Sequence, residues 1–326
     1  MFRALEIDAR GEPVLSEGAD VAFPPNEGQR RWIDLLDPTA EDLELLRVRF
    51  GFHPLALEDC AHLDQRPKLE EFGDHTFLVT QGFGCTSERV RDLQLFELHA
   101  FLGQNYLVTV HTGEIPAVSR LWSRGCSAQS PLERGPDFLY YLIADALVDE
   151  GFPILDRIGD EIEELENEVL LRPQRDDFAR IFELKRVLVQ MRKVLTPQRD
   201  MIAMLARRGD ARVSDRTALY FRDIFDHLVR LSESIEANRD LLGNSVDAYL
   251  SSVSNRTNEV MKYLTVLSAV FLPLSFIVGF FGQNFDDLPG FNGWSHSHFL
   301  MYAMMLVCLS VPFVMLWWFK SKGWLD

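Results

Sequence analysis

Ten positions, read in steps of three and four, fall on one face of a single predicted helix: Asp247, Ser251, Ser254, Asn258, Met261, Leu264, Ser268, Leu272, Ser275 and Gly279. Thr265 borders the same stripe beside Leu264. The stripe opens on a carboxylate and continues through hydroxyls and an amide. It passes apolar side chains at Met261, Leu264 and Leu272, then returns to hydroxyls and a glycine. Gly282, Gln283 and Asn284 follow at once, then the acidic pair Asp286 and Asp287. No nucleophile and base stand together here, so the pattern is not that of a catalyst. Its oxygens are hard acceptors, the chemistry of a cation path. Asn284 repeated around a ring would offer neutral amide oxygens, which suit an ion such as Mg²⁺ that dehydrates reluctantly and is met through its water shell. Soft thiolates are absent from the stripe. The apolar positions would form a constriction able to gate by dewetting. Helix–helix packing is the alternative reading, because small residues also line packed membrane helices.

The helix that carries the stripe must cross a membrane. Tyr263–Phe281 is 19 residues without Asp, Glu, Lys, Arg or His. That is about 28 Å of helix, close to the hydrocarbon thickness of a bilayer. A second such span, Phe299–Phe319, has 21 residues. The loop between them lacks Lys and Arg, whereas Arg256, Lys262, Lys320 and Lys322 flank the outer ends. The positive-inside rule then places both termini in the cytoplasm and the Asp286–Asp287 loop outside, where it would attract cations. His296 and His298 in that loop offer two imidazoles for zinc, against the commoner reading of interfacial histidines. Upstream, Ser214–Leu272 has no Pro and only Gly243 as an interruption. It predicts one helix on the order of 80 Å long, a stalk entering the membrane. Two spans cannot enclose a pore, so a lined path requires a ring of subunits.

The remaining chain divides into residues 1–136, read as mixed α/β, and 137–262, read as helical and ending in the stalk. Then follow the first span (263–281), the loop (282–298), the second span (299–319) and a basic tail (320–326). Thr39 with Asp42 three residues on marks a helix start. His75–Thr80, Leu93–Leu102 and Tyr106–Val110 read as strands, the last two joined by a turn at Gly103-Gln104-Asn105. Asp156–Glu168 holds seven acidic residues, with Ile158, Ile162, Leu165 and Val169 at helical spacing. This is a solvated acidic face or a cation-attracting surface. A further helix is predicted from about Asp176 to Leu205. The net charge of −16 excludes nucleic acid as a partner, since phosphate binding needs a basic face. Four scattered cysteines read as reduced thiols, and no apolar leader precedes the first domain. No Walker loop is present, so nucleotide-driven transport is not expected. His53, His62, His75, His99 and His111 have no ligand spacing and read as structural.

The segment SSVSNRTNEVMKYLTVLSAVFLPLSFIVGFFGQNF resembles the stalk-to-pore region of the CorA-type metal ion transporters, the two-transmembrane GxN family. FGFHPLALEDC, QRPKLEEF, FLYYLIADALVDEGF and LYFRDIFDHL resemble that family's cytoplasmic segments. The resemblance implies an α+β cytoplasmic domain whose long stalk helices continue into a two-helix transmembrane domain, assembled as a homopentameric funnel in the cell inner membrane. It implies transport of a divalent cation, Mg²⁺ first with Co²⁺ and Ni²⁺ beside it, and neither an organic cofactor nor an enzyme activity. Asn284 matches the signature residue of the selectivity ring, with Gly282 allowing the turn. Met261 and Leu264 match the hydrophobic gate, and Leu272 and Ser275 further pore positions. Asp59 and Asp247 match the main pair of regulatory metal ligands between subunits. Glu58, Asp223 and His227 match a second cluster. Gln283 departs from the family's usual Gly-Met-Asn, which makes a Zn²⁺ transporter of the same fold the alternative. A membrane-anchored metal sensor that does not conduct is the reading from a different class.

Overall fold

The computed structural model describes residues 2–7, 12–17, 25–26, 28–85, 92–126, 130–171, 173–207, 212–282 and 298–324. They form two compact units, Met1–Val246 and Asp247–Asp326.

A seven-stranded sheet organises the first unit. Its strands are β1 (Phe2–Ile7), β2 (Pro13–Glu17), β3 (Arg30–Leu36), β4 (Lys68–Phe72), β5 (His75–Cys85), β6 (Leu93–Gly103) and β7 (Tyr106–His111). They lie in the order β2-β1-β3-β7-β6-β5-β4, antiparallel throughout except for the parallel pair β3–β7. The strands expected at 75–80, 93–102 and 106–110 are β5, β6 and β7, and only Gln104 and Asn105 separate the last two. The others hide behind charge. β3 reads RRWIDLL, yet Arg31 and Asp34 are buried because Glu6 and Arg3 on the neighbouring strand pair with them. Pairing is what makes a buried charge tolerable.

Helices cover both faces of the sheet. On one side, α1 (Ala40–Phe50) and α2 (Pro54–Ala61) pack Phe50, Phe52 and Leu57 against Phe77, Phe101 and Val110. Thr39 and Asp42 close the expected capping box on α1. On the other side lie α3 (Pro116–Gly125) and α4 (Pro136–Asp149). Tyr140 of α4 bonds Thr80 at 2.5 Å inside the core. The helix sits so close to β5 that a Cβ on Gly82 would stand 2.6 Å from Leu147.

Three longer helices follow: α5 (Gly151–Leu171), α6 (Arg175–Leu205) and α7 (Asp215–Phe281). In α5 the apolar positions Ile158, Ile162, Leu165 and Val169 are fully buried, and Asp156, Asp160, Glu163, Glu164 and Glu168 are exposed. The acidic run is therefore the solvent face of an amphipathic helix. Phe221, Ile224, Leu228, Leu231 and Ile235 give α7 its own buried stripe within the first unit. The helix runs 67 residues without a break, about 100 Å at the α-helical rise.

The second unit holds the last part of α7 and α8 (His298–Ser321), with Pro273 and Pro312 inside the helices. Both helices are long and apolar enough to cross a membrane, and only 6% of each apolar window is buried. Leu272 is 71% exposed, Phe276 71% and Phe299 81%. Apolar surface on this scale needs lipid or other protein around it.

Candidate cation sites

Asp145 and Asp149 stand one turn apart on α4, so their carboxylates share a face. His227 reaches that face from α7, with its Nδ1 at 3.0 Å from Asp149 Oδ1. One ligand atom from each of the three lies within 4.8 Å of the others. Among the described residues this is the only such group of three or more His, Cys, Asp or Glu side chains. Asp145 Oδ1 is buried and has no hydrogen-bond partner. Burial, then the charges of Asp149 and Asp223, push the Asp145 carboxyl up to about 6, with His227 opposing. Asp223 is exposed on α7, one turn before His227. The arrangement is short of positive charge. Carboxylate oxygens with one imidazole nitrogen suit a divalent cation of the Mg²⁺–Co²⁺ range.

A second carboxylate–imidazole pair is already complete. Asp34 on β3 accepts from Thr109 Oγ1 at 2.6 Å, from His111 Nε2 at 3.2 Å and from Arg3 at 2.7 Å. The His111 Nδ1 lies 2.7 Å from the Gly113 carbonyl. Both ring nitrogens thus face acceptors, which favours the imidazolium. Burial works against the His111 charge, but Asp34 and the Gly113 carbonyl outweigh it and raise its pKa. Burial likewise opposes the Asp34 carboxylate, yet His111, Thr109 and Arg3 together hold it below the usual range. Four other histidines of the first unit serve locally: His53 caps α2, His62 bonds the Glu58 carbonyl, His75 bonds Asp74 at 2.7 Å, and His99 stacks on Phe77.

Of the expected regulatory ligands, Asp59 is bound to Lys68 at 2.7 Å, and Lys68 also holds Glu70. Glu58 is exposed. Asp247 is exposed on the part of α7 that belongs to the second unit. Within one chain the fold brings His227 to Asp145 and Asp149, and Glu58 is not in that group. The sequence reading passed over Asp145 and Asp149. The signal was there: two acids four apart on a helix that is otherwise almost wholly apolar.

Every position of the stripe on α7, from Asp247 to Gly279, is exposed in the single chain, as is Gly282. Thr265 Oγ1 donates to the Met261 carbonyl at 2.7 Å. Asn258, Met261, Lys262 and Thr265, with Lys322 and Trp324 beyond α8, line a cavity of about 510 Å³. Gly282 closes the helix, and a Cβ there would meet the Val278 carbonyl at 2.9 Å. Gln283, Asn284, Asp286, Asp287 and His296 lie outside the described residues, as does the side chain of His298.

The chain thus has a sheet-and-helix unit and two helices, α7 and α8, long and apolar enough to cross a membrane. The chain belongs to the CorA-like Mg²⁺ transporter family, whose model matches residues 27–321. It is 37% identical over 281 residues to the cobalt/magnesium transport protein CorA of Thermotoga maritima, covering 85% of this chain and 78% of that one. It is 26% identical over 329 residues to the zinc transport protein ZntB of Yersinia pseudotuberculosis, covering 99% and 95%. The complete structure of the CorA magnesium transporter from Methanocaldococcus jannaschii superimposes with a TM-score of 0.83 at 25% identity, covering 100% of this chain and 99% of the other. The family read from the motifs is borne out, as is the α+β domain with a long helix and two apolar C-terminal helices. The family handles divalent metal ions, and its relatives include both magnesium and zinc transport proteins.

Proposed function

We propose that the chain assembles as a homopentamer in the cell inner membrane, termini in the cytoplasm, and conducts divalent cations with Mg²⁺ as the principal cargo. Co²⁺ and Ni²⁺ would share the path. The observation that carries this reading is the uncovered stripe on α7. Its carboxylate, amide and hydroxyl positions all stand exposed, and from Tyr263 to Phe281 the rest of the helix, Thr265 apart, is apolar. Polar groups at membrane depth are tolerated where water or protein surrounds them. A ring of α7 helices supplies both. In it Asn258, Met261, Leu264, Ser268, Leu272, Ser275 and Gly279 line the path, and Gly282-Gln283-Asn284 form its outer mouth with Asp286 and Asp287 beside it. The membrane potential acting on a doubly charged ion drives the flux.

Cations also act as a brake in this reading. Asp59, Asp247, Glu58, Asp223 and His227 serve as regulatory ligands between subunits, and Asp145 and Asp149 join His227. Apposed carboxylates repel unless a cation sits among them, so loss of the ion loosens the ring. Zn²⁺ in place of Mg²⁺ is the alternative cargo, favoured by the likeness to a zinc transport protein over 99% of the chain and by Gln283. A metal sensor without conduction would keep the cation cluster and show no flux.

Uptake into proteoliposomes of Mg²⁺, Zn²⁺, Co²⁺ and Ni²⁺ in parallel, with and without a proton gradient, tests the reading. Mg²⁺ uptake is expected without a gradient, and Asn284→Ala should abolish it while the oligomer persists. Normal uptake by that variant would overturn the selectivity assignment, and absence of any divalent flux would leave the sensor. Neutralising Asp59 and Asp247 together should weaken inhibition by cytoplasmic Mg²⁺.

A further inference from the structure

In the first unit, α6 and α7 border a cavity of about 410 Å³, and none of the candidate cation ligands lines it. Four cationic side chains line it: Arg66 before β4, Arg192 and Lys193 on α6, and Arg239 on α7. In a chain of net charge −16 such a grouping is not part of a general basic surface. The acids at hand are already engaged. Glu236 bonds Arg192 at 2.7 Å with one oxygen and Arg239 at 2.7 Å with the other. Asp200, the one acid in the lining, faces Arg199 at 3.3 Å.

Cationic capacity is left over. Arg66 and Lys193 have no ion-pair or hydrogen-bond partner among the described residues. Arg239 Nε is buried without an acceptor, although its Nη1 is bonded. Native proteins rarely leave a buried donor of this kind unmet, because its desolvation is costly. Guanidinium forks held in place by Glu236, with a free ammonium beside them, match the oxygens of a phosphate group.

The cavity also offers what an inorganic ion does not use. Its volume falls in the range of small-molecule sites. Val189 and Pro197 give it an apolar wall. Pro197 lacks an N–H, so the regular helix bond to the Lys193 carbonyl four residues earlier is not made. The Thr196 hydroxyl in the lining is an acceptor for an N–H or O–H on the ligand.

We propose that this cavity binds an organic phosphate, a compound with two or more phosphate groups and a hydrogen-bond-donating organic part, of which a nucleoside triphosphate is the type. Binding is meant, not turnover, and it does not depend on which cation the chain carries. The test is calorimetric titration of the full-length oligomer in detergent with ATP, chelator present and divalent ions absent. Saturable binding displaced by pyrophosphate is expected. Arg66→Gln with Lys193→Gln should weaken it by about tenfold or more. Arg47→Gln with Arg49→Gln removes the same charge from α1 and should leave it unchanged. Absence of saturable binding overturns the proposal. So does unchanged affinity in the Arg66/Lys193 pair, or an equal loss in the α1 control, which would reveal nothing beyond net charge. Cation uptake by the Arg66/Lys193 variant reports separately on transport.

Discussion

Two groupings in the same unit use the same side chains and come out differently. Asp34 and His111 are buried, and Thr109, Arg3 and the Gly113 carbonyl satisfy them fully. Asp145, Asp149 and His227 are partly buried or exposed, crowd three carboxylates with Asp223 around one imidazole, and leave Asp145 Oδ1 without a partner. The titrations follow. Asp34 is held below the usual carboxylate range and Asp145 is pushed up to about 6. Carboxylate and histidine together therefore do not define a metal site. A deficit of positive charge is what separates the second grouping from the first. A closed network stabilises the sheet, whereas an open one is stabilised only when something else arrives.

Breaking the closed network should cost most. Asp34→Ala leaves Arg3 and His111 without their anion and is expected to lose about 3–5 kcal/mol in denaturant unfolding. The rise in Tm on adding Mg²⁺ should survive, and its disappearance would mean that the two groupings are not separable. Asp145→Asn acts on the open one. The folded protein holds the Asp145 proton to about pH 6, against 3.8 ordinarily, so between these values it binds more protons than the unfolded chain. In chelator, stability from this group thus falls as pH rises from about 4 to about 6. Asp145→Asn should raise Tm in chelator at pH 7.5 (a value of about 7.5 lies above that window) and forfeit most of the Mg²⁺-induced gain. That gain amounts to about 2.7 kcal/mol at a hundredfold excess over Kd.

His111→Gln should cost less, about 1.5–3 kcal/mol for a bond to a charged group. With its pKa raised in the fold, His111 contributes fully below about pH 6.5 and loses that contribution as pH rises through the folded value. The variant should therefore be flatter than the parent from neutral to mildly alkaline pH. A parallel decline in both would remove His111 as the cause. Asp223→Asn should be smallest: it takes one like charge from beside Asp145, lowers the Asp145 titration observed by NMR, and changes Mg²⁺ affinity by less than about tenfold.

The sequence made some of this plain and concealed the rest for physical reasons. An uninterrupted run from Ser214 onward showed α7, and charge-free spans showed the membrane helices, because both signals are local. The β5–β7 run was equally legible from its Val, Phe and Leu content. β1, β3 and β4 were not, since LEI, RRW and KLEEF look solvated until Arg31 meets Glu6 and Lys68 meets Asp59 and Glu70. The cation cluster was half legible. His227 came from resemblance, but Asp145 and Asp149 sit 78 or more residues upstream of it, and only the packing of α4 against α7 unites them.

Thr265 carries a consequence for the sign of whatever moves beside it. Its hydroxyl proton is spent on the Met261 carbonyl within the helix. What it turns outward is an oxygen with lone pairs and no hydrogen to give. Thr257 is committed in the same way to the Val253 carbonyl. Each of these two oxygens can accept from the protons of a cation's water shell, and neither has a hydrogen to offer chloride.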